Sequence, residues 1–373
     1  MPIVLNGTTG ITTPTYNGNT TAEYLVPVTG FKNRIINGDM TIDQRNVGAA
    51  ATINNTVAYT LDRWEGADNT DGVIQIQQSS TAPTGFTRSL QFTTTTADSS
   101  LSATQYAYVA QYIEGLNTAD FSFGTASAST VTLSFWVRSS LTGTFGGSIS
   151  NDSYDRTYPF TYTISAANTW EQKSITLAGD TSGTWLTNNS VGVRVYFCLG
   201  AGSSRLGTAN AWASSWLLGG TGSTSVVGTL NATWNVTGVQ LEKGSVATSF
   251  DYLPYSTEMI LCQRYYVKSF TYSTVPANGI YSYYSGTFWE GSDNGKNEYV
   301  YLPVSMRTSP TFTLYGDSGR WQVFNGGAWV TSTQSIAGAI TDRGFTVFIV
   351  GNISNSSLHP WYCKGDWVAS AEL

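Results

Sequence analysis

Apolar and polar residues alternate along most of this chain. In "VTLSFWVRSS", Val131, Leu133, Phe135 and Val137 fall on one side of an extended strand, and Thr132, Ser134, Trp136 and Arg138 on the other. "VGVRVYFCLG" repeats the pattern, with Val191, Val193, Val195, Phe197 and Leu199 facing one way and Arg194, Tyr196 and Cys198 the other. Similar runs occur in "GVIQIQQS", "RSLQFTTT", "QYAYVAQYIEG", "TFGGSIS", "RTYPFTYTIS", "WEQKSITL" and "WNVTGVQLEKG". Their even spacing predicts an antiparallel jelly-roll β-sandwich over residues 34–254. Parallel strands would need crossover helices, for which this region has no pattern.

One stretch has helical spacing. In "STEMILCQRYY", Met259, Cys262, Gln263 and Tyr266 recur at i, i+3, i+4 and i+7. Ser256 is the expected N-cap and Glu258 lies in the first turn. This predicts a short connector helix over 255–266, with a face able to pack on neighbouring subunits. Residues 267–373 return to strand-like runs, such as "EYVYLPVSM" and "GFTVFIVGN", and predict a second C-terminal β-sandwich domain. Residues 1–33 have few periodic apolar positions and many turn residues. They predict an extended arm that orders on a partner through two apolar patches, Ile3-Val4-Leu5 and Tyr24-Leu25-Val26. The fold class expected is therefore all-β.

Composition sharpens this reading. Charged residues make up only 11% of the 373 positions, against about 25% in ordinary domains, whereas aromatics reach 13%. Thr, Ser, Asn and Gly take the surface role that Lys and Glu usually fill. The net charge of −6 and the lack of any Lys/Arg run argue against a nucleic-acid partner. No apolar run approaches about 18 residues, so no membrane insertion is expected. Cys198, Cys262 and Cys363 are odd in number and far apart, which fits buried free thiols better than disulfides or a zinc site.

Candidate chemistry is sparse. His359 is the one histidine, so neither a histidine-based triad nor a histidine metal site is supported. The carboxylates are scattered, and "GGTGSTSVVG" lacks the Lys of a phosphate loop. Binding is the better reading, because sugars stack on aromatic faces and hydrogen-bond to Asn, Gln, Asp and Thr. Candidate platforms are Tyr154, Trp185, Trp212 and Trp216 in the first domain, and Tyr283, Tyr284, Trp289, Trp321, Trp329 and Trp361 in the second.

"NRIINGDMTIDQRN" followed by "YTLDRW" resembles the opening of a family of tailed-bacteriophage virion proteins. "LSFWVRSSLTGTFGGSI", "YPFTYTISAANTWEQKSITLAGDTSGTW", "GVQLEKGSVATSFDYLPYSTEMILCQRYY" and the closing "ASAEL" extend the likeness, mainly over residues 34–266. "IVLNGTTGITTP" resembles N-terminal segments of phage tail-fibre proteins. The resemblance implies a non-enzymatic tail-fibre or adhesin subunit, homotrimeric, folded in the host cytoplasm and assembled into the virion tail. It would attach to other tail proteins through the arm (Ile3, Val4, Leu5, Tyr24, Leu25, Val26). It would meet a host surface glycan through residues 267–373, with Tyr283, Tyr284, Trp289 and Trp329 as contact residues. A non-adhesive adaptor, collar or capsid-attached fibre is the alternative. A glycan depolymerase is a third reading, against which the absence of a β-helix repeat counts.

"NGDM" and "GVQLEKG" also resemble the terminal strands of jelly-roll carbohydrate-binding modules, where a structural calcium can sit. Met40 stands where those modules carry an acidic or aromatic pair, so no cofactor or metal is expected here. On this reading "RIINGDMTIDQRN" is the first strand of the jelly roll. Ile35, Ile36, Met40 and Ile42 face inward, Arg34, Asp43 and Arg45 pair with Asp62 and Arg63, and Trp64 closes the core.

Overall fold

The computed structural model describes residues 5–6, 10–11, 31–285, 289–290, 295–324, 328–332, 334–350 and 362–373. In the leader, Leu5–Asn6 pairs antiparallel with Gly10–Ile11. The other leader residues expected to dock (Ile3, Val4, Tyr24, Leu25, Val26) lie outside the described residues, as do His359 and Trp361.

The body from Asn33 onward is built almost wholly from antiparallel strands. The jelly roll contains β1 (Ala51–Ile53), β2 (Thr56–Leu61), β3 (Trp64–Asp68), β4 (Val73–Ser79), β5 (Ser89–Thr96) and β6 (Tyr106–Glu114). It continues with β7 (Val131–Ser139), β8 (Gly143–Ser150), β9 (Thr157–Ile164), β10 (Glu171–Leu177), β11 (Val191–Ala201) and β12 (Thr233–Lys243). They form two six-stranded sheets, ordered β9-β8-β11-β6-β3-β2 and β10-β7-β12-β5-β4-β1. Period-two alternation sends Leu133, Phe135 and Val137 of β7 and Val193, Val195, Phe197 and Leu199 of β11 into one core between the sheets. Val191 departs from the expected pattern. A β-bulge between Val191 and Val193 moves it to the other face, beside Tyr112 and Tyr196.

Residues 34–46, expected to be the first strand, form none, and the next strand starts only at Ala51. Asn37, Met40 and Val47 have positive φ, and polar side chains capture the backbone that a ladder would use. The Asn37 amide accepts from the Ile42 N–H at 2.9 Å and donates to the carbonyls of Ile42 and Asp62 at 2.8 and 2.9 Å. Asp43 accepts from the N–H groups of Asn46 and Gly48 at 2.9 and 2.6 Å. The inward residues are as expected: Ile35, Ile36, Met40 and Ile42 are buried, and Trp64 donates its indole N–H to the Asn37 carbonyl at 3.0 Å. Gly38 is required here, since a Cβ would lie 2.3 Å from the Val239 carbonyl oxygen.

The charged residues of this segment pair differently from the expectation. Asp62 takes two hydrogen bonds from Gln44, both at 2.6 Å, and Arg34 reaches Asp120 at 3.0 Å. Arg45 and Arg63 both bind Glu372, two residues after the last strand and 2.7 Å from Arg45. The Arg63 guanidinium is fully buried, donates to the Tyr112 carbonyl and lies 3.5 Å from the centre of the Tyr265 ring. Burial is the largest single influence and works against its charge, but the Glu372 carboxylate together with Tyr265, Tyr59 and Cys262 outweighs it, holding Arg63 above its ordinary value. Arg307 donates to the carbonyls of Ala371 and Glu372, both at 2.8 Å, and the Tyr59 hydroxyl to that of Leu373 at 2.8 Å.

Helix α1 spans Tyr255–Gln263, shorter than expected. Pro254 precedes its first turn and no side chain caps it, so Ser256 lies inside the helix instead of at its N-cap. Glu258 turns inward and accepts a short hydrogen bond from the Asn37 N–H. Tyr266 opens a strand, and Tyr265 and Tyr266 stack on Arg63 and Arg45. Beyond the helix, β13 (Tyr266–Lys268), β14 (Tyr283–Ser285), β15 (Trp289–Glu290), β16 (Gly295–Tyr301) and β17 (Thr311–Tyr315) follow. The remaining strands are β18 (Gln322–Phe324), β19 (Trp329–Thr331), β20 (Gln334–Thr341), β21 (Gly344–Val350) and β22 (Tyr362–Ser370). One sheet runs β13-β22-β18-β19, with β14 and β17 also paired to β22, and a second runs β15-β16-β21-β20. Trp321, Val323, Phe345, Val347 and Trp367 form the core of this region. Among the described residues, no helix is long and apolar enough to cross a membrane.

Two stability tests follow from this architecture. Phe135→Ala removes a fully buried ring and is expected to cost about 3–5 kcal/mol. The neighbouring Trp136 is half-buried on the opposite face, and Trp136→Ala should cost about 1–2 kcal/mol. Equal losses in urea unfolding would contradict the face assignment. The second test uses Glu258, which burial pushes up to about 7 from an ordinary 4.5. Between those values the folded state binds more protons than the unfolded one, so this group makes stability fall as pH rises from about 4.5 to about 7. Glu258→Gln keeps an acceptor for Asn37 and removes the titration. Its stability relative to wild type should rise across that window and level off above it, and an unchanged pH profile would refute the assignment.

Candidate functional site

The aromatic residues singled out in the jelly roll gather into two groups. The first surrounds a cleft of about 490 Å³ at one end of the sandwich. After β6, two 3₁₀ turns (Gly115–Asn117 and Ala119–Phe121) bury Phe121, and Ser122, with φ 55°, redirects the chain toward Phe123. The segment before β11 forms the facing wall. Gly115 and Leu116 donate to the carbonyls of Ser190 and Asn188, both at 2.9 Å, and Gly124 donates to that of Asp180 at 2.7 Å. A Cβ on Gly115 would sit 2.2 Å from the Leu186 carbonyl oxygen, so glycine permits this close seam.

Asp180 orients the principal ring. It is almost fully buried and takes two bonds at 2.6 Å from the Arg156 guanidinium. It also accepts from the Trp185 indole N–H at 3.2 Å and the Ser182 N–H at 3.2 Å. The charge-assisted Asp180 bonds hold Arg156 above its ordinary value. Trp185 then stands edge-on to Phe123, with centroids 4.8 Å apart, and to Trp212 at 5.6 Å. Trp212 donates its N–H to the Ala178 carbonyl at 3.0 Å and packs on Tyr158 at 5.2 Å. Trp185 remains half-buried beside the cleft, whose lining also includes Thr118, Ser122, Thr125, Ser127 and Thr187. None of the cleft's lining residues is ionisable.

The second group lies on the outer face of the β11 sheet. Tyr108, Tyr112 and Tyr196 are buried there with Cys198, and Tyr106, Tyr154 and Trp216 lie partly open beside them. Both Tyr108 and Tyr112 donate to Glu65, the former at 3.0 Å. Burial is the main cause that pushes the Glu65 carboxyl up, and the two phenols counteract it. Trp216 lies 5.3 Å from Tyr106 and 5.0 Å from Tyr154, and the Arg205 guanidinium sits 4.0 Å from its ring centre.

In the C-terminal region, the backbones of Tyr283 and Tyr284 pair with β22 and that of Trp289 with β16, while their side chains lie outside the described residues. Trp329 is half-buried against Phe324, with the Lys364 ammonium 4.6 Å from its ring centre. Trp321 is a core residue, its indole N–H donated to the Asp366 carbonyl at 3.2 Å, and so is not a surface platform. Sequence reading missed an exposed apolar sheet face made by Tyr299, Tyr301, Ile336 and Phe348. Gly338 leaves room for the Phe348 ring, since a Cβ there would lie 2.3 Å from it. Strand alternation could have flagged Tyr299 and Tyr301, but Asp180 and Arg205 gave no signal, being single polar residues in loops.

No protein-family model matches the chain, and no curated protein does. Among solved structures, the enzymatically active domain of tailspike protein 4 from bacteriophage CBA120 aligns at 13% identity and a TM-score of 0.30. That alignment covers 57% of this chain and 21% of the tailspike chain, so this chain spans about a fifth of it. A putative sugar binding protein from Bacteroides thetaiotaomicron aligns at 12% identity and a TM-score of 0.32, covering 57% of this chain and all (100%) of the other. The carbohydrate-binding module TmCBM61, solved in complex with β-1,4-galactotriose, aligns at 8% identity and a TM-score of 0.29, covering 57% and 99%.

Asp180→Ala should leave Trp185 unanchored and remove the charged bonds to Arg156, at a cost of about 1.5–3 kcal/mol for those bonds. Chemical unfolding, with fluorescence anisotropy of Trp185 in a variant background lacking other surface indoles, measures both effects. An unchanged midpoint together with an unchanged anisotropy would show that Asp180 does not position the ring.

Proposed function

We propose that this chain is a glycan-binding structural subunit of a bacteriophage tail fibre, and that the Trp185 cleft of its jelly roll takes a neutral sugar. The observation that carries the binding reading is the half-buried Trp185 indole, anchored by Asp180 in a cleft lined by Ser and Thr residues without an ionisable group. An indole face and hydroxyls match the apolar faces and hydroxyls of a sugar ring. Glycoside hydrolysis by paired carboxylates has no members in that lining. Binding without cleavage is the reading it supports.

The virion assignment is supported by the likeness of the "NRIINGDMTIDQRN", "YTLDRW" and "ASAEL" segments to tailed-phage virion proteins. On this proposal the arm over residues 1–33 attaches to other tail proteins and the body is a homotrimer. The apolar face with Tyr299, Tyr301, Ile336 and Phe348 suits contact between subunits, because solvent-exposed apolar patches of this kind are usually covered in an assembly. Tyr283, Tyr284, Trp289 and Trp329 remain candidates for a second receptor contact on residues 267–373.

A glycan array with the full chain tests the binding reading. We expect selective binding of neutral oligosaccharides, lowered about 2- to 10-fold by Trp185→Ala, the scale of one stacked ring. Absence of any glycan ligand would favour the non-adhesive structural alternative. Release of reducing ends from bound glycans would instead favour a depolymerase. Deletion of residues 1–33 should leave a folded protein that no longer incorporates into particles, and normal incorporation would overturn the role of the arm.

A further inference from the structure

Arg205 and Trp216, on the outer face of the β11 sheet, have hydrogen-bonding capacity that the fold does not use. Arg205 closes a single 3₁₀ turn, Ser203–Arg205, and its guanidinium stacks 4.0 Å from the Trp216 ring centre. The Nε of Arg205 and the Nε1 of Trp216 are both buried and bonded to nothing. Among the described residues, no carboxylate lies within 4.0 Å of the Arg205 guanidinium. Arg194 provides the contrast. Its Nε is likewise unbonded, but it lies 4.1 Å from the Tyr154 ring centre and its terminal nitrogen is paired with Asp152 at 2.6 Å. The sequence is thus a stack of Arg205, Trp216, Tyr154 and Arg194, with the cation neutralised at one end and left without an anion at the other.

Buried donors without acceptors are costly, and native structures rarely leave them. Two such donors on stacked neighbours, one of them cationic, define the missing partner as an anion with more than one acceptor oxygen. A guanidinium presents parallel N–H groups that fit a carboxylate. Tyr106 lies 5.3 Å from Trp216 and is partly open to solvent, so it adds a flat surface of the size of a sugar ring next to that position. A small inorganic anion would use the donors and leave Tyr106 idle.

We infer that Arg205, Trp216 and Tyr106 form a second saccharide subsite, distinct from the Trp185 cleft, that binds the carboxylate of an acidic sugar. Arg205 and the Trp216 N–H hold the carboxylate, and Tyr106 takes the ring face. The site makes no use of Asp180 or Trp185, and so it stands or falls separately from the neutral-sugar cleft.

The test is calorimetric titration of the full chain with an oligogalacturonate and with its methyl ester, which keeps the sugar and masks the charge. The acid form should bind about 10- to 100-fold more tightly than the ester, the scale of a charge-assisted hydrogen-bond pair, and less tightly as salt rises. Arg205→Gln should bring the acid form down to the ester's affinity. Arg205→Lys should recover only part of the preference. Trp216→Phe keeps a ring and removes the unbonded N–H, and should lower acid binding several-fold. Trp185→Ala should leave the preference intact. Equal binding of acid and ester, or a preference that survives Arg205→Gln, would overturn the proposal. So would equally tight binding of a poly-glutamate peptide, which would make the site a general anion patch. Far-UV circular dichroism of each variant confirms that it is folded.

Discussion

The arrangement of the body depends on one buried ionic contact, that between Arg63 and the Glu372 carboxylate. Arg63 follows β2 at the edge of the jelly roll, and Glu372 lies at the other end of the chain. A buried guanidinium without its carboxylate would be an uncompensated charge, so the two distant segments must meet for either to be tolerated. Around this contact the satisfied bonds are dense. Arg45 supplies a second cation, Tyr265 and Tyr266 cover the two guanidinia, and Arg307 and Tyr59 take the last backbone carbonyls. Helix α1 is tied in through Glu258 and, just past its end, by the Arg264–Glu114 pair. The ion pair does not have to add net stability relative to an apolar core to have this effect. Its consequence is specificity, because alternative packings of the C-terminal region would strand Arg63.

This clasp leaves the binding surfaces to other parts of the jelly roll. The Trp185 cleft and the Arg205–Trp216 group are built on loops that flank β9 and β11, and the clasp abuts both: Arg307 bonds Asn189 beside the cleft, and Arg63 bonds the Tyr112 carbonyl beneath the second group. They follow the same physical rule on a smaller scale: a buried carboxylate, Asp180, positions an indole, and a paired arginine, Arg194, braces a tyrosine. At Arg205 and Trp216 the rule is left incomplete, since the Nε and Nε1 donors have no partner.

The sequence displayed the strands well because their signal is local. Alternation in β7 and β11 identified core and outer faces directly, and the fold class followed. The exception at Val191 arose from a bulge, which shifts the period without any change in residue type. Residues 34–46 read as a strand because the apolar Ile35, Ile36, Met40 and Ile42 outweighed the Asn, Asp and Gly whose side chains and φ angles bend the chain. Ion pairs were the least legible feature. Arg45 and Arg63 looked as if they should pair with nearby acids, yet their partner lies more than 300 positions away in sequence (|i−j| of 327 and 309). At the sites, Trp185, Trp212, Tyr154 and Trp216 were visible as loop aromatics, but their division into two groups depends on the folded loops. The candidates Tyr283, Tyr284 and Trp289 have side chains outside the described residues.

A double-mutant cycle across the clasp tests the central claim most directly. Arg63→Met and Glu372→Gln should each lower stability in urea unfolding, the Glu372 change by about 3–5 kcal/mol because it strands a buried guanidinium. The double variant should lose far less than the sum of the two, since neither charge is then left uncompensated. Additive losses, or a negligible effect of Glu372→Gln, would contradict the view that this contact holds the two ends of the body together.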